Sequence, residues 1–66
     1  MIMIPLNSSA IAAAGYDGST MLIQFTTGST RYSFYHVPAS IFEGLLSASS
    51  AGTYYNTYIR GRYSGL

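Results

Sequence analysis

Arg31, Arg60 and Arg62 are the only lysine or arginine residues in this 66-residue chain, and their side chains are the best suited to ligand chemistry. A guanidinium group can hold a phosphate through two parallel hydrogen bonds, so these residues could bind one or two phosphates. Six tyrosines lie within a few residues of the arginines: Tyr32, Tyr35, Tyr54, Tyr55, Tyr58 and Tyr63. Aromatic rings can stack on a base while an arginine neutralises its phosphate. The pattern indicates a nucleotide-type ligand, although the same residues can also be solvated arginines and core or interface tyrosines.

A second candidate region is the serine-rich segment 47–56 (SASSAGTYYN), which leads into a predicted helix. A turn at the start of a helix exposes backbone N–H groups that can bind an anion. Ser49, Ser50 and Asn56 would add neutral hydrogen bonds around that charge. The same residues are typical of an ordinary helix N-cap, so both interpretations stay open. The candidate ligand-binding residues are therefore Arg31, Tyr35, His36, Ser49, Ser50, Tyr55, Asn56, Arg60 and Arg62.

Catalysis is not expected, because the chain has few groups that could carry it. His36 is the only plausible general base, and a hydrolytic triad would need it beside a serine and an orienting carboxylate. The only carboxylate side chains are Asp17, which sits in a predicted turn, and Glu43, which is predicted on an exposed helix face. We expect His36 to end a strand and to hydrogen-bond near the start of a helix. Without cysteine, one histidine and two acidic residues cannot build an ordinary all-protein zinc or calcium site, so no metal or cofactor is expected.

Composition limits the size and the partners of the protein. A chain of 66 residues can hold one domain, residues 1–66, and such a domain buries only about 60% of its unfolded surface. Only 8% of residues are charged whereas 48% are apolar, which favours a homo-oligomer that covers neutral and aromatic surface. The net charge of +1 argues against tight binding to duplex DNA. Residues 1–6 are apolar but too short for a membrane span and lack signal-peptide features, so we expect a cytoplasmic protein without membrane contact.

The central predicted element is a β-hairpin within residues 20–38 (TMLIQFTTGSTRYSFYHVP). Apolar residues alternate with their neighbours on both sides of a Thr-Gly-Ser turn, which is the period-2 signature of paired strands. The preceding stretch 7–16 is ambiguous between helix and strand, and we predict an edge strand there. The Asp17-Gly18 pair that follows is a strong hairpin signal. These elements predict a three-stranded antiparallel β-meander.

Two helices are predicted after the hairpin. Pro38 is tolerated in the first turn of a helix, and an apolar stripe follows it. The stripe consists of Ile41, Phe42, Leu45 and Leu46. Gly44 should weaken this helix. A second helix over Thr53–Arg62 would bring Tyr54 close to Tyr58 at the i, i+4 spacing. The sequence therefore predicts an α+β fold in which a three-stranded antiparallel β-meander is followed by two short helices packed on one face.

The order of several short motifs resembles the KTSC domain over nearly the whole chain. These motifs are Ser8-Ser9, Gly15-Tyr16-Asp17, Leu22, Phe25, Gly28, Tyr32-Ser33-Phe34, Val37-Pro38, Ala48-Ser49-Ser50-Ala51-Gly52, Tyr54-Tyr55-Asn56, Ile59-Arg60 and Tyr63. The resemblance implies a domain of about this size that occurs free-standing in bacteria and phages and at the C-terminus of some lysyl-tRNA synthetases. It also implies RNA binding as the usual suggestion for function.

Two hypotheses for function come ahead of catalysis. The first is a non-enzymatic pocket, formed at a subunit interface, that holds a small nucleotide-type anion. In a phage, such a protein could sequester a host nucleotide immune signal. The second is an RNA or single-stranded nucleic-acid binding module, and a further alternative is a protein interaction module. Sparse charge favours the small ligand, because a nucleic-acid strand needs many phosphate contacts.

Overall fold

Four strands form one antiparallel sheet in the computed structural model, which describes residues 2–28 and 30–63. They are β1 (Met3–Pro5), β2 (Ile11–Tyr16), β3 (Met21–Phe25) and β4 (Arg31–Phe34), and they lie side by side in chain order. The helices that follow are α1 (Ala39–Ser47) and α2 (Ala51–Tyr54), and α2 continues directly into a π-helix over Tyr55–Ile59. The predicted α+β fold with an antiparallel sheet and two helices is confirmed. The predicted number of three strands is wrong.

The additional strand is β1, which pairs with residues 13–15 of β2. The stretch 7–16, predicted as an edge strand, therefore contains the internal strand β2. A strand of three residues is too short to show an alternating pattern, so the sequence offers little sign of it. Pro5 is compatible with β1 because this strand lies at the edge of the sheet.

The predicted β3–β4 hairpin is confirmed. Met21 pairs with Phe34, and Ile23 pairs with Tyr32. Directly opposed residues of antiparallel strands lie on the same face, so these four side chains share one side of the sheet. Met21 and Ile23 are completely buried there. Ser29, in the predicted turn, lies outside the described residues.

A β-bulge in β2 explains why the alternation of this strand is hard to read from the sequence. Ile11 pairs with Phe25 and Ala14 pairs with Ile23, with a register shift between Ile11 and Ala13. Regular alternation would place Ile11 and Ala14 on opposite faces, whereas the extra residue of a bulge returns both to one face. Both side chains are completely buried.

The turn between β2 and β3 is the predicted Asp-Gly turn. The Asp17 carboxylate accepts hydrogen bonds from the backbone N–H groups of Thr20 at 2.7 Å and Ser19 at 3.1 Å. These bonds, that from Thr20 above all, hold the pKa of Asp17 below its usual value because they favour the charged form. Gly18 adopts a φ of 105°, which a residue without a side chain reaches at little cost.

Helix α1 covers the sheet with the predicted apolar stripe. Phe42 and Leu45 are buried, Ile41 and Leu46 are partly buried against the core, and the Phe42 ring stacks on Tyr16 at a centroid distance of 5.0 Å. The whole core cluster consists of Ile11, Ala14, Met21, Ile23, Phe34, Val37, Phe42, Leu45, Ala51 and Ile59. The strand residues of this cluster share one face of the sheet, and the helices contribute Phe42, Leu45, Ala51 and Ile59 to the same cluster.

The predicted range 53–62 of the second helix is wrong at both ends. The helix begins earlier because the hydroxyl of Ser50 caps it, accepting a hydrogen bond from the Thr53 N–H at 3.3 Å. It also ends earlier, after a π turn in which the Arg60 N–H donates to the Tyr55 carbonyl at 2.8 Å. No helix in the described part of the chain is long and apolar enough to cross a membrane.

Gly44 has a packing role that its low helix propensity does not suggest. A Cβ atom at this position would lie 2.7 Å from the Cζ atom of Tyr54, closer than real Cβ contacts. The missing side chain therefore lets the Tyr54 ring lie directly against α1.

Candidate ligand-binding site

A cavity with a volume of about 530 Å³ lies where β3 ends and β4 begins. It is lined by Phe25, Thr27, Gly28, Thr30, Tyr32, Phe34 and Tyr55, and we call it the hairpin cavity. Six of these residues belong to the β3–β4 hairpin, and Tyr55 is the first residue of the π-helix. The hairpin and the second helical segment therefore build this cavity together.

Four aromatic rings form the apolar part of the hairpin cavity. Phe25 meets Tyr32 at a centroid distance of 5.6 Å and an interplanar angle of 64°, and it meets Tyr55 at 5.1 Å and 78°. Tyr55 also contacts Phe34 at 6.0 Å and 72°. Edge-to-face contacts of this kind are favourable because the positive edge of one ring meets the negative face of another. The rings thus hold one another in defined orientations.

The local sequence explains how these rings meet. Phe25, Tyr32 and Phe34 lie on the helix-covered face because of strand alternation and the β3–β4 register. Ile59 at the other end of the π-helix is completely buried and anchors this segment to the core. Tyr55 is thereby held over the end of the sheet. It covers this end only partly, since Tyr32 remains 40% exposed.

The polar side chains of the hairpin cavity are all hydroxyls. They belong to Thr27, Thr30, Tyr32 and Tyr55, and no lining residue carries a charge. Within residues 2–28 and 30–63, none of these four hydroxyls has a hydrogen-bond partner in the protein. Each of these hydroxyls can act as donor or acceptor toward a ligand.

The structure distributes the predicted site residues over several regions. Of the nine, Tyr55 lines the hairpin cavity, while Ser49 and Ser50 line a smaller cavity. Arg31 stands between Thr30 and Tyr32 in the chain, but its Nε donates to Oε1 of the paired Gln24 at 3.3 Å. Strand alternation places this pair on the face without helices.

The other predicted residues are exposed and line neither cavity. Tyr35 and His36 lie in the connection from β4 to α1, where His36 has a φ of 59°. The hydrogen bond expected for the His36 side chain is not found among the described residues. Asn56 is exposed on the π-helix, and Arg60 is the first residue after this helix. The Nε atom of Arg62 donates a hydrogen bond to the Thr57 carbonyl at 3.2 Å. The three arginines are thus not gathered in one cavity.

The smaller cavity, of about 340 Å³, lies beside the serine-rich turn. It is lined by Ala48, Ser49, Ser50, Thr53, Tyr54, Thr57 and Tyr58. The Ser50 hydroxyl is the helix cap and donates to Oγ1 of Thr53 at 3.0 Å, so its structural role is shown. Tyr54 and Tyr58 meet at a centroid distance of 4.7 Å, as their spacing predicted. The pKa of Tyr54 is raised, mainly because burial disfavours the charged form of its side chain and to a smaller extent because of the neighbouring Tyr58 and Tyr63.

Six lining residues of the hairpin cavity are absent from the predicted site: Phe25, Thr27, Gly28, Thr30, Tyr32 and Phe34. The sequence does contain one signal for them, since aromatic residues occupy the same face of both strands close to the turn. The arginine positions predicted a charged site instead. Among the described residues, no three His, Cys, Asp or Glu side chains form a group that could hold a metal ion.

Two of the comparisons with known proteins name one family, the KTSC domain. A family model of the KTSC domain matches residues 7–63. A protein of Tsukamurella paurometabola is 43% identical over 63 residues, which cover 92% of either chain. The crystal structure of a KTSC domain protein from Yersinia pestis is similar with a TM-score of 0.92 and 28% sequence identity, over 98% of this chain and 93% of that one.

Proposed function

Because the chain belongs to the KTSC domain family and carries an aromatic cavity at the end of its hairpin, we propose that it is a non-enzymatic binding protein for a nucleotide-type anionic ligand. One observation carries this proposal: four aromatic rings line a single cavity together with hydroxyl groups. Its volume of about 530 Å³ lies in the range of small-molecule sites. Aromatic rings of this kind bind bases by stacking.

The phosphate part of the ligand is assigned to the outside of the hairpin cavity. A charged group inside would lose its hydration without gaining an ionic partner, because no lining residue is charged. Arg31 stands in the chain between the lining residues Thr30 and Tyr32 and is exposed, but its side chain lies on the other face of the sheet. We therefore assign to Arg31 a phosphate that extends out of the cavity past the edge of the hairpin, where the bond of Arg31 to Gln24 would be exchanged for one to the ligand.

The lining also supports binding without turnover. His36, Asp17 and Glu43 are not among the lining residues, so no general base stands beside the place assigned to the ligand. A protein of this kind would store or sequester its ligand. In a phage it would suit the capture of a host nucleotide signal, in the cytoplasm where such signals are made.

Calorimetric titration with AMP, beside single-stranded oligonucleotides of increasing length, tests this proposal. Saturable binding of AMP at a defined stoichiometry is expected, with a shallow dependence on salt. Arg31→Gln should weaken it, since a hydrogen bond to a charged group contributes about 1.5–3 kcal/mol. Affinity that appears only with long oligonucleotides and falls steeply with salt would instead establish the nucleic-acid strand as ligand.

We also propose that the protein forms a homo-oligomer through the sheet face that lacks helices. This face carries Leu22 and Ala13, which are partly exposed and lie outside the core cluster. Arg31, which the β3–β4 register places on the same face, would have to stay outside the contact between copies in order to bind phosphate. Light scattering at micromolar concentration should give a multiple of the 7.1 kDa chain mass. Leu22→Lys should shift the mass to the monomer, and a monomeric wild type would refute the proposal.

A further inference from the structure

Tyr32 and Tyr55 share Phe25 as a common edge-to-face partner within the hairpin cavity. Their centroids lie 5.6 Å and 5.1 Å from that of Phe25. Tyr55 is only partly exposed, whereas Tyr32 is 40% exposed, so the Tyr32 ring is the more accessible of the two to a flat ring stacked on it.

The polar groups of this cavity are poorly suited to reading the edge of a base. Strong discrimination between bases uses bidentate pairs from arginine, asparagine or glutamine, and none of these residue types lines the cavity. The hydroxyls of Thr27, Thr30, Tyr32 and Tyr55 can rotate and can either donate or accept. They would satisfy adenine and guanine equally well.

We propose that the hairpin cavity selects its ligand by the size and flatness of the ring, with Tyr32 as the accessible stacking surface, so that purines are preferred and adenine and guanine are not distinguished. This proposal rests on the proposed function and adds the ligand class and the specificity-determining residue. A bicyclic purine covers more of the aromatic lining than a pyrimidine does, and buried aromatic area is what stabilises a stacked base.

Titration with AMP, GMP, CMP and UMP under one buffer condition tests the preference. AMP and GMP should bind within about threefold of each other, because rotatable hydroxyls suit both edges. CMP and UMP should bind about fivefold more weakly or worse, because they lose stacking area. A tenfold or larger difference between AMP and GMP would overturn the proposal while leaving nucleotide binding itself intact. No binding of any of the four would overturn the proposed function as well.

Variants of two exposed tyrosines locate the site. Tyr32 is 40% exposed in the hairpin cavity, and Tyr58 is 49% exposed outside it, so both can be truncated with little disturbance of the core. Tyr32→Ala should weaken AMP binding by about 5- to 150-fold, the equivalent of one lost stacking contact. Tyr32→Phe should keep most of the affinity, because it retains the ring.

Tyr58→Ala is the matched control and should bind AMP as the wild type does. If Tyr32→Ala retains full affinity while AMP binds the wild type, the base lies elsewhere and this proposal fails although the proposed function stands. Choline provides a second control, because aromatic cages also bind quaternary ammonium ions. Binding of choline in the absence of any nucleotide binding would refute both proposals in favour of a cation site.

Discussion

Two regions of the helix-covered sheet face have the same residue pattern but different cover. In the middle of the sheet, Met21 and Ile23 are completely buried in one cluster with Leu45. At the end of the hairpin, Phe25 is only partly buried and Tyr32 is 40% exposed, although both follow the same alternation. The difference arises from the helices above, not from the strands.

The comparison shows how one alternating pattern can make both a closed core and an accessible aromatic cavity. A side chain on the inner face becomes part of the core only where a helix covers it completely. Beyond that point, the same apolar face is available to a ligand. In this chain the boundary between core and cavity lies at Tyr55. Its ring packs against Phe25 and Phe34 and also lines the cavity.

The largest expected effect is on the free energy of unfolding, which a truncation in the closed core should lower far more than a truncation in the cavity. Leu45→Ala should cost about 2–5 kcal/mol because it leaves a cavity in the closed core. That is most of the stability that a single core of this size supplies. Tyr32→Ala should change the free energy of unfolding far less, by about 1 kcal/mol at most, because the ring is partly exposed. Urea unfolding followed by circular dichroism measures both, and equal losses would refute the division into core and cavity.

A smaller loss of stability is expected for Gly44→Ala, which changes the packing of helix α1 above the sheet and not the sheet itself. The new methyl group would collide with the Tyr54 ring, and such overpacking costs about 1–3 kcal/mol, more than the gain in helix propensity of about 1 kcal/mol. In a Tyr54→Ala background the collision is absent, so the same change should be neutral or stabilising. Thermal unfolding of the four proteins of this cycle measures the coupling. Equal effects of Gly44→Ala in both backgrounds would contradict the close packing.

The smallest expected effect is on stability in acid. It arises from Asp17 in the turn before β3, at the opposite end of this strand from the cavity. Because the pKa of Asp17 is lowered in the folded protein, its contribution to stability is present above the unfolded value of about 3.9 and is lost as pH falls through the lowered pKa. Asp17→Asn should lose this part of the acid sensitivity. Denaturant midpoints from pH 7 down to the acid range, compared between the two proteins, measure the difference. Parallel curves would show that the turn does not depend on the charge.

Much of the fold follows from the sequence because its signals are local. Alternation predicts the hairpin, Asp17-Gly18 predicts the turn, and the stripe containing Phe42 predicts the cover of the sheet. The strand β1 could not be predicted in this way, because three residues form a strand only when a neighbouring strand binds them. The π-helix is equally dependent on packing, since Ile59 must reach the core.

The candidate site was less predictable than the fold. Charge and serine content drew attention to residues such as Arg60 and Ser49, which lie outside the hairpin cavity. Tyr55 is the predicted residue that lines it. Phe25 has the pattern of a core residue, and Tyr32 is one of six tyrosines considered for stacking but is not among the predicted site residues. The local sequence does not reveal where the helical cover ends. That boundary is a property of tertiary packing.

Amide NMR spectra of the isotope-labelled protein, titrated with AMP, test the central claim most directly. The account predicts that the largest shifts occur at Thr27, Gly28 and Thr30 around the hairpin cavity, with no comparable shifts at Ser49 and Thr53 beside the smaller cavity. Backbone amides report local binding in the wild-type protein, so this measurement needs no substitution. Shifts confined to the serine-rich turn, or no shifts at all, would contradict the assignment of the hairpin cavity as the ligand-binding site.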